Sequence, residues 1–409
     1  MALPGVKITL GNGGLGRVAA TADGIAGLLL TGAAVSVDIE TKAENGKTET
    51  STKVLFELNK HYQFSSTKDL TAHGITAENN PLIDREVRSF YAQAGEGVEL
   101  HLLAVSKATL LTTMVDPGAD SPLSKLIESA AGRIKVLGVN RLLPEEYEVD
   151  NTQGIDADAI EAANKAQQAA EGYAGKIMPF RLFLPAPKWN GEATMKFMPS
   201  GCSYNRVAMV LASEGKLQGQ FPAAIGMVLG RAAKAEPQQD LGRVKFGVMA
   251  ASGYFTDGSP YLEKQGNADA LNDAGYIFFM NYPGKNGCYL NGCPMACAAT
   301  DDYAVLNNGR IMDKAMRIAY DTYITEIMDN VQVGDDGKLP AGVCSSFEAM
   351  IENAVASLMD GQISSFSAYV NPEQNILSTS RLDIECSLVP MGVLKNINVL
   401  LSFSNPALA

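Results

Sequence analysis

The chain has 409 residues, of which 46% are hydrophobic and 19% charged, the proportions of a globular protein with room for two or three domains or one large α/β core with additions. Its formal net charge of -12 excludes nucleic acid and anionic membrane surfaces as partners, because both would repel it. The first residues lack the charged and apolar blocks of a signal peptide, and no window approaches the roughly 18 apolar residues of a membrane span, so synthesis and folding in the cytoplasm are expected.

Near the N-terminus Val6, Ile8 and Leu10 alternate with Lys7 and Thr9, the period of a short strand. Gly11, Gly13 and Gly16 then fall at the spacing of a dinucleotide fingerprint. That motif must open a helix that receives a pyrophosphate, yet Gly24 and Gly27 and a β-like run follow. We read Gly11, Gly13, Gly14 and Gly16 as a hinge, and keep a nucleotide-binding α/β enzyme as the alternative. Residues 25–37 read as a buried first strand and its approach, 43–50 as a surface Asn-Gly turn, 53–58 as a short strand and 70–75 as a loop.

Residues 81–94 place Leu82, Ile83, Val87, Phe90 and Tyr91 at helical spacing, with Gly95 as the stop, and a strand follows over 98–105. Helices over 122–131, 156–173, 222–235 and 267–273 then alternate with strands over 133–139, 178–186, 206–212 and 276–280. This alternation predicts an α/β body with a mostly parallel sheet and covering helices.

After Met280 the chain turns to short, turn-rich pieces, then to helices expected over 311–331 and from Ser345 or Ser346 to residue 360. Two alternating runs close it. Leu382, Ile384, Cys386 and Leu388 share one face of the first, and Ile397, Val399, Leu401 and Phe403 one face of the second, with Pro390 and Gly392 between. A two-stranded ribbon is marginal alone, so a partner is required. The C-terminal part is therefore an α+β domain of two helices and a terminal β-ribbon.

Catalytic patterns are sparse. His61, His73 and His101 have no metal-ligand spacing, and six irregularly spaced cysteines do not make a disulfide framework. Cys288, Cys293 and Cys297, with Cys202 as a remote fourth, are the best metal candidates, but their spacing fits buried thiols better. Asp301-Asp302 and Asp335-Asp336 read as solvated turns, and Trp189 as a packing anchor. There is no nucleophile elbow, phosphate-binding loop or H-E-x-x-H. No cofactor, metal or catalytic residue is assigned, which favours a structural protein.

The order of parts resembles the contractile tail sheath family, which includes sheaths of phage tails, R-type pyocins and related injection particles. The likeness rests on the Pro-Gly opening with its apolar strand, the glycine-bearing arm, the α/β body, the passage from Gly287 to Arg310, and the ending NINVLLSFSNPA. It implies an arm (1–20), a body (21–285), an inner C-terminal domain (286–393) and a C-terminal strand (394–409). It further implies that strands from neighbouring subunits complete the C-terminal sheet, through Val6, Ile8, Leu10, Leu382, Ile384, Leu388, Ile397, Val399, Leu401 and Phe403. The implied partners are many copies of the chain in a helix, an inner tail tube, and baseplate and terminator proteins, in a phage tail or injection particle. Nucleic acid and direct membrane insertion are not among them, and another phage tail or capsid shell protein is kept as a second alternative. Glu348, Glu352 and Asp360 are the acidic positions expected to face the tube.

Overall fold

The computed structural model describes residues 22–42 and 48–403, so Val6, Ile8, Leu10 and the glycines Gly11, Gly13, Gly14 and Gly16 lie outside the described residues. The chain forms two compact units, Met1–Ile327 and Met328–Ala409.

In the first unit the strands of the large sheet and of one long hairpin are Ala26–Gly32 (β1), Val35–Lys42 (β2), Thr48–Phe56 (β3), His61–Phe64 (β4), Leu100–Ser106 (β5), Val136–Asn140 (β6), Arg181–Pro185 (β7), Val207–Val210 (β8) and Tyr276–Ile277 (β9). Its main helices are Pro81–Ala94 (α1), Pro122–Ser129 (α2), Ala157–Gly175 (α3), Ile225–Lys234 (α4) and Leu306–Tyr323 (α5). Seven strands form one sheet in the order β9-β8-β7-β6-β1-β5-β4. All neighbours run parallel except β4, which is antiparallel to β5 at the edge. The expected mostly parallel α/β body is present.

Its layering follows from the sequence of β1, AGLLLTG, which is buried along its whole length. Leu28 and Leu30 pack on one side with residues of α1 and α4, while Leu29 packs on the other with residues of α2 and α3. A strand covered on both faces has no polar side to alternate, hence the continuous apolar run. Serine at the cap of α2 fits its role, since the Ser121 side chain accepts from the Ser124 N–H and Pro122 opens the first turn.

Helices α1 and α4 meet backbone to backbone. A Cβ on Gly226 or Gly230 would collide with the carbonyls of Glu86 and Phe90, so only glycine permits this approach. At the same contact the buried Glu86 carboxylate accepts from the Gly226 N–H and from Asn140 Nδ2, with Arg85 Nη2 3.6 Å away. Burial pushes the Glu86 carboxyl up to about 7, against the pull of Arg85.

Several elements differ from the sequence expectation. Residues 53–56 belong to a longer strand, β3, paired with β2 in an antiparallel hairpin, and residues 57–58 of the expected strand lie beyond its end. The stretch expected as a loop at 70–75 contains a short helix, Lys68–Ala72. The strand expected over 276–280 breaks at Phe278, where Asn291 exchanges hydrogen bonds with the Phe278 backbone. Its first half joins the large sheet, and Phe279–Met280 pairs instead with Tyr289–Leu290.

Helix α5 spans Leu306–Tyr323, starting and ending earlier than the expected 311–331. Gly309 reads as a breaker but sits inside this helix, because the Arg181 guanidinium packs where its Cβ would be. Arg181 is 1% exposed and donates to Asp313 of α5 at 2.7 and 2.9 Å, and Arg206 reaches the same carboxylate at 3.1 Å. This buried ion triad fixes α5 to the amino ends of β7 and β8.

In the second unit, helix Ala341–Leu358 (α6) precedes the strands Ile363–Val370 (β10) and Ile384–Pro390 (β11). Helix α6 begins directly after Pro340 rather than at the serines expected as its cap, because proline is well placed just ahead of a first turn.

Candidate assembly surface

The antiparallel ribbon of the second unit pairs β11 with β10, matching Phe366 with Leu388, Ala368 with Cys386 and Val370 with Ile384. This corrects the expected pairing of the two C-terminal runs: residues 391–403 carry no strand in the structure. The inner face of the ribbon lies on α6, where Val370, Leu382 and Ile384 join a small cluster with Leu339 and Cys344. Its outer face, including Ser365, Ser367, Tyr369, Glu385, Ser387 and Val389, is exposed. Leu382 and Ile384 are half-buried in the unit's own core, and Leu388 is half-buried too.

The two edges of this ribbon are unlike. Glu352 Oε1 accepts from the Ala368 N–H at 2.9 Å, and Glu348 Oε1 from the Val370 N–H at 2.8 Å. These amides point away from β11, so carboxylates from α6 occupy the outer edge of β10. The spacing of Glu348 and Glu352 at i and i+4 on the helix matches the two-residue repeat of outward N–H groups on the strand. By the same register Ala368–Cys386 and Val370–Ile384 are non-hydrogen-bonded pairs, which directs the backbone groups of Ile384, Cys386 and Leu388 to the opposite, outer edge of β11. Glu348 and Glu352 thus have partners inside their own unit, and Asp360 lies exposed beyond the end of α6. After the ribbon in sequence comes an apolar, exposed segment: Ile397 is 77%, Val399 72%, Leu401 88% and Phe403 108% exposed.

At the carboxyl ends of β1 and β6, where the strand order reverses, lies a cavity of about 440 Å³ lined in part by Thr31, Asn80, Lys107 and Gln220. Such crevices commonly hold ligands. Here Asn80 is clamped to both backbone groups of Ala33, Gln220 to both of Leu143, and Thr31 accepts from the Leu142 N–H. These side chains serve as struts.

His61 and His101, 40 residues apart in sequence, are joined at 2.7 Å between Nε2 and Nδ1, and His101 Nε2 lies 2.8 Å from Glu99. Burial pushes both imidazoles below their ordinary value. His73 stacks on Phe64 and bonds the Leu55 carbonyl. Cys288, Cys293 and Cys297 are buried, and burial pushes the Cys288 and Cys297 thiols up to about 11. Cys288 donates to the Ala250 carbonyl. Among the described residues no group of three or more His, Cys, Asp or Glu side chains is placed to hold a metal. Trp189 packs on Phe255 and donates to the Glu192 carbonyl, as a packing anchor does.

Two family descriptions cover nearly the whole chain: "DUF2586, N-terminal domain" over residues 3–293 and "DUF2586, C-terminal domain" over 302–408. The chain belongs to the DUF2586 family. No curated protein matches this DUF2586 chain. Among solved structures it is similar to a chain in the anti-feeding prophage (AFP) helical sheath in the contracted state, with a TM-score of 0.58 and 14% identity over 99% of both chains. It is likewise similar to a chain in the six-fold symmetrised AFP baseplate, with a TM-score of 0.57 and 14% identity over 99% of both. At this identity the likeness is one of fold, and it bears out the resemblance to contractile sheaths at that level. The DUF2586 chain therefore has a contractile-sheath-like fold, and among its described residues no helix is long and apolar enough to cross a membrane.

Proposed function

We propose that this DUF2586 protein is a sheath subunit that polymerises helically around an inner tail tube and contracts to drive the tube through a target envelope, without enzymatic activity. The observation that carries the reading is the asymmetric ribbon, closed by Glu348 and Glu352 on the β10 edge and open at Ile384, Cys386 and Leu388 on the other. An open edge in a chain that also carries an exposed apolar segment is the setting for β-augmentation. The strands that add there come from neighbouring copies: the segment with Val6, Ile8 and Leu10, carried on Gly11, Gly13, Gly14 and Gly16, and the segment with Ile397, Val399, Leu401 and Phe403. A strand given to one neighbour and taken from another is a heterologous contact, which propagates as a helix. Contraction is then a change between two packings of rigid bodies held by the strand mesh. In this reading residues 1–20 are an arm, 21–285 the outer body, 286–393 the inner domain and 394–409 the second arm. The copies meet baseplate and terminator proteins at the two ends of the particle.

The test is deletion of residues 396–409 and, separately, of 4–10, with assembly followed by electron microscopy. Each deletion is expected to leave a soluble chain that forms no long tubes. Normal tubes from both would overturn the reading.

A further inference from the structure

A second feature lies at the other end of the body's strands. Helix α5 crosses the amino ends of β1, β6, β7 and β8, where Asp23, Lys135, Arg181 and Arg206 sit at or just before the first strand residues. A half-open cleft there is lined by Asp23, Lys135, Arg310, Asp313, Lys314 and Arg317, with Pro237. Its charges do not balance. Asp313 is taken by Arg181 and Arg206, and Asp23 by Lys314 at 2.6 Å. Arg317 donates to the Pro179 carbonyl and Arg310 Nη2 to the Asp23 carbonyl, both neutral acceptors. Lys135 has no hydrogen bond or ion pair to another described side chain.

Arg310 decides the matter. It is 5% exposed, and its Nη1 is buried with no partner. A buried charged donor left unmade is costly, so such groups are normally satisfied by protein, water or a ligand. The enclosed room is only about 10 Å³, the space of roughly one water oxygen. That size admits one oxygen of a small anion and rejects anything as large as a nucleotide.

We propose that this cleft is a receptor for a single oxyanion head group, a carboxylate or inorganic phosphate, with one oxygen seated on Arg310 Nη1 and with Lys135 and Arg317 closing around it. Burial pushes Lys135 down to about 8, with repulsion from Arg317 adding to the fall, and pushes Arg317 down to about 10 against the pull of Asp313 and Asp23. The source is either a free ion or an acidic side chain of a second copy.

The experiment titrates the full-length, unassembled chain with phosphate and, separately, with acetate, at constant ionic strength set with sodium chloride, and follows Tm. A saturable rise is expected, and Lys135→Gln and Arg310→Lys should each weaken the response about tenfold or more. Lys135 is half-buried and unpaired, so its variant keeps the test decisive where the Arg310 variant fails to fold. No rise in the wild type, or an equal rise in Lys135→Gln, overturns the proposal. The same titration on assembled particles separates the sources. A protein carboxylate in the cleft abolishes the phosphate response, whereas a free-ion site retains it, and either outcome upholds the receptor. Because the first titration needs no assembly, absence of tubes leaves it standing.

Discussion

The body and the C-terminal unit solve the same problem, burying a sheet, with different completeness. In the body, helices cover both faces of seven strands, and buried charges such as Arg181 and Asp313 are paired. In the C-terminal unit, one helix covers one face of two strands, and the small core around Leu339, Cys344 and Val370 leaves the outer face and one edge open. A layer closed on all sides is stable by itself, while a half-covered ribbon gains stability from what joins it. The first region is closed on its own, and the proposed assembly places association in the second.

The sharpest way to break this contrast is to open the body from within. Asp313→Ala strands Arg181 and Arg206 as buried, unpaired cations, and should cost the body about 3–5 kcal/mol in denaturant unfolding. A loss below 1 kcal/mol would mean the triad does not hold α5. Next in size is a pH effect. The Glu86 carboxyl is raised in the folded state, so the native chain binds more protons than the unfolded one between the ordinary carboxylate range and about 7. Stability is then highest below that window and falls as pH rises through it, by on the order of 3 kcal/mol. Denaturation at pH 5 and pH 8 should show the fall, and Glu86→Gln should flatten it.

Gly226→Ala forces the α1 and α4 backbones apart and should cost about 1–3 kcal/mol by overpacking. The smallest effect on stability belongs to the second region. At Cys386→Pro the lost N–H points away from β10, so the ribbon should keep its fold within about 1 kcal/mol. Assembly into tubes, seen by microscopy, should nonetheless fail. Tubes of normal length from this variant would show that the β11 edge accepts no strand.

How far the sequence carried these features depended on whether the deciding contact was local. Helix α1 was readable because its apolar spacing and glycine stop lie within one stretch, and β1 because burial on both faces leaves an unbroken apolar run. Helix α5 was misplaced because Gly309 answers to Arg181, 128 residues away. Strand β10 was missed because Ser364, Ser365 and Ser367 dilute its alternation, and the run at 397–403 offered a stronger pattern for the same role. The pairing of His61 with His101, and the seating of Glu348 and Glu352 on the β10 edge, arise only when separate elements meet. The cleft at Arg310 is likewise assembled from the starts of β1 and β6, the loop at Pro237 and helix α5, none of which carries a motif.

The carboxylates of α6 on β10 also set a valence. A ribbon open on both sides could take a strand at each edge and so join more neighbours than a line requires, giving branched or tangled growth. With Glu348 and Glu352 in place, only the β11 edge is left for the strands proposed to join the ribbon, which therefore has a front and a back. In the assembly proposed above, growth would have a sense of direction, and the two ends of a filament would be chemically different.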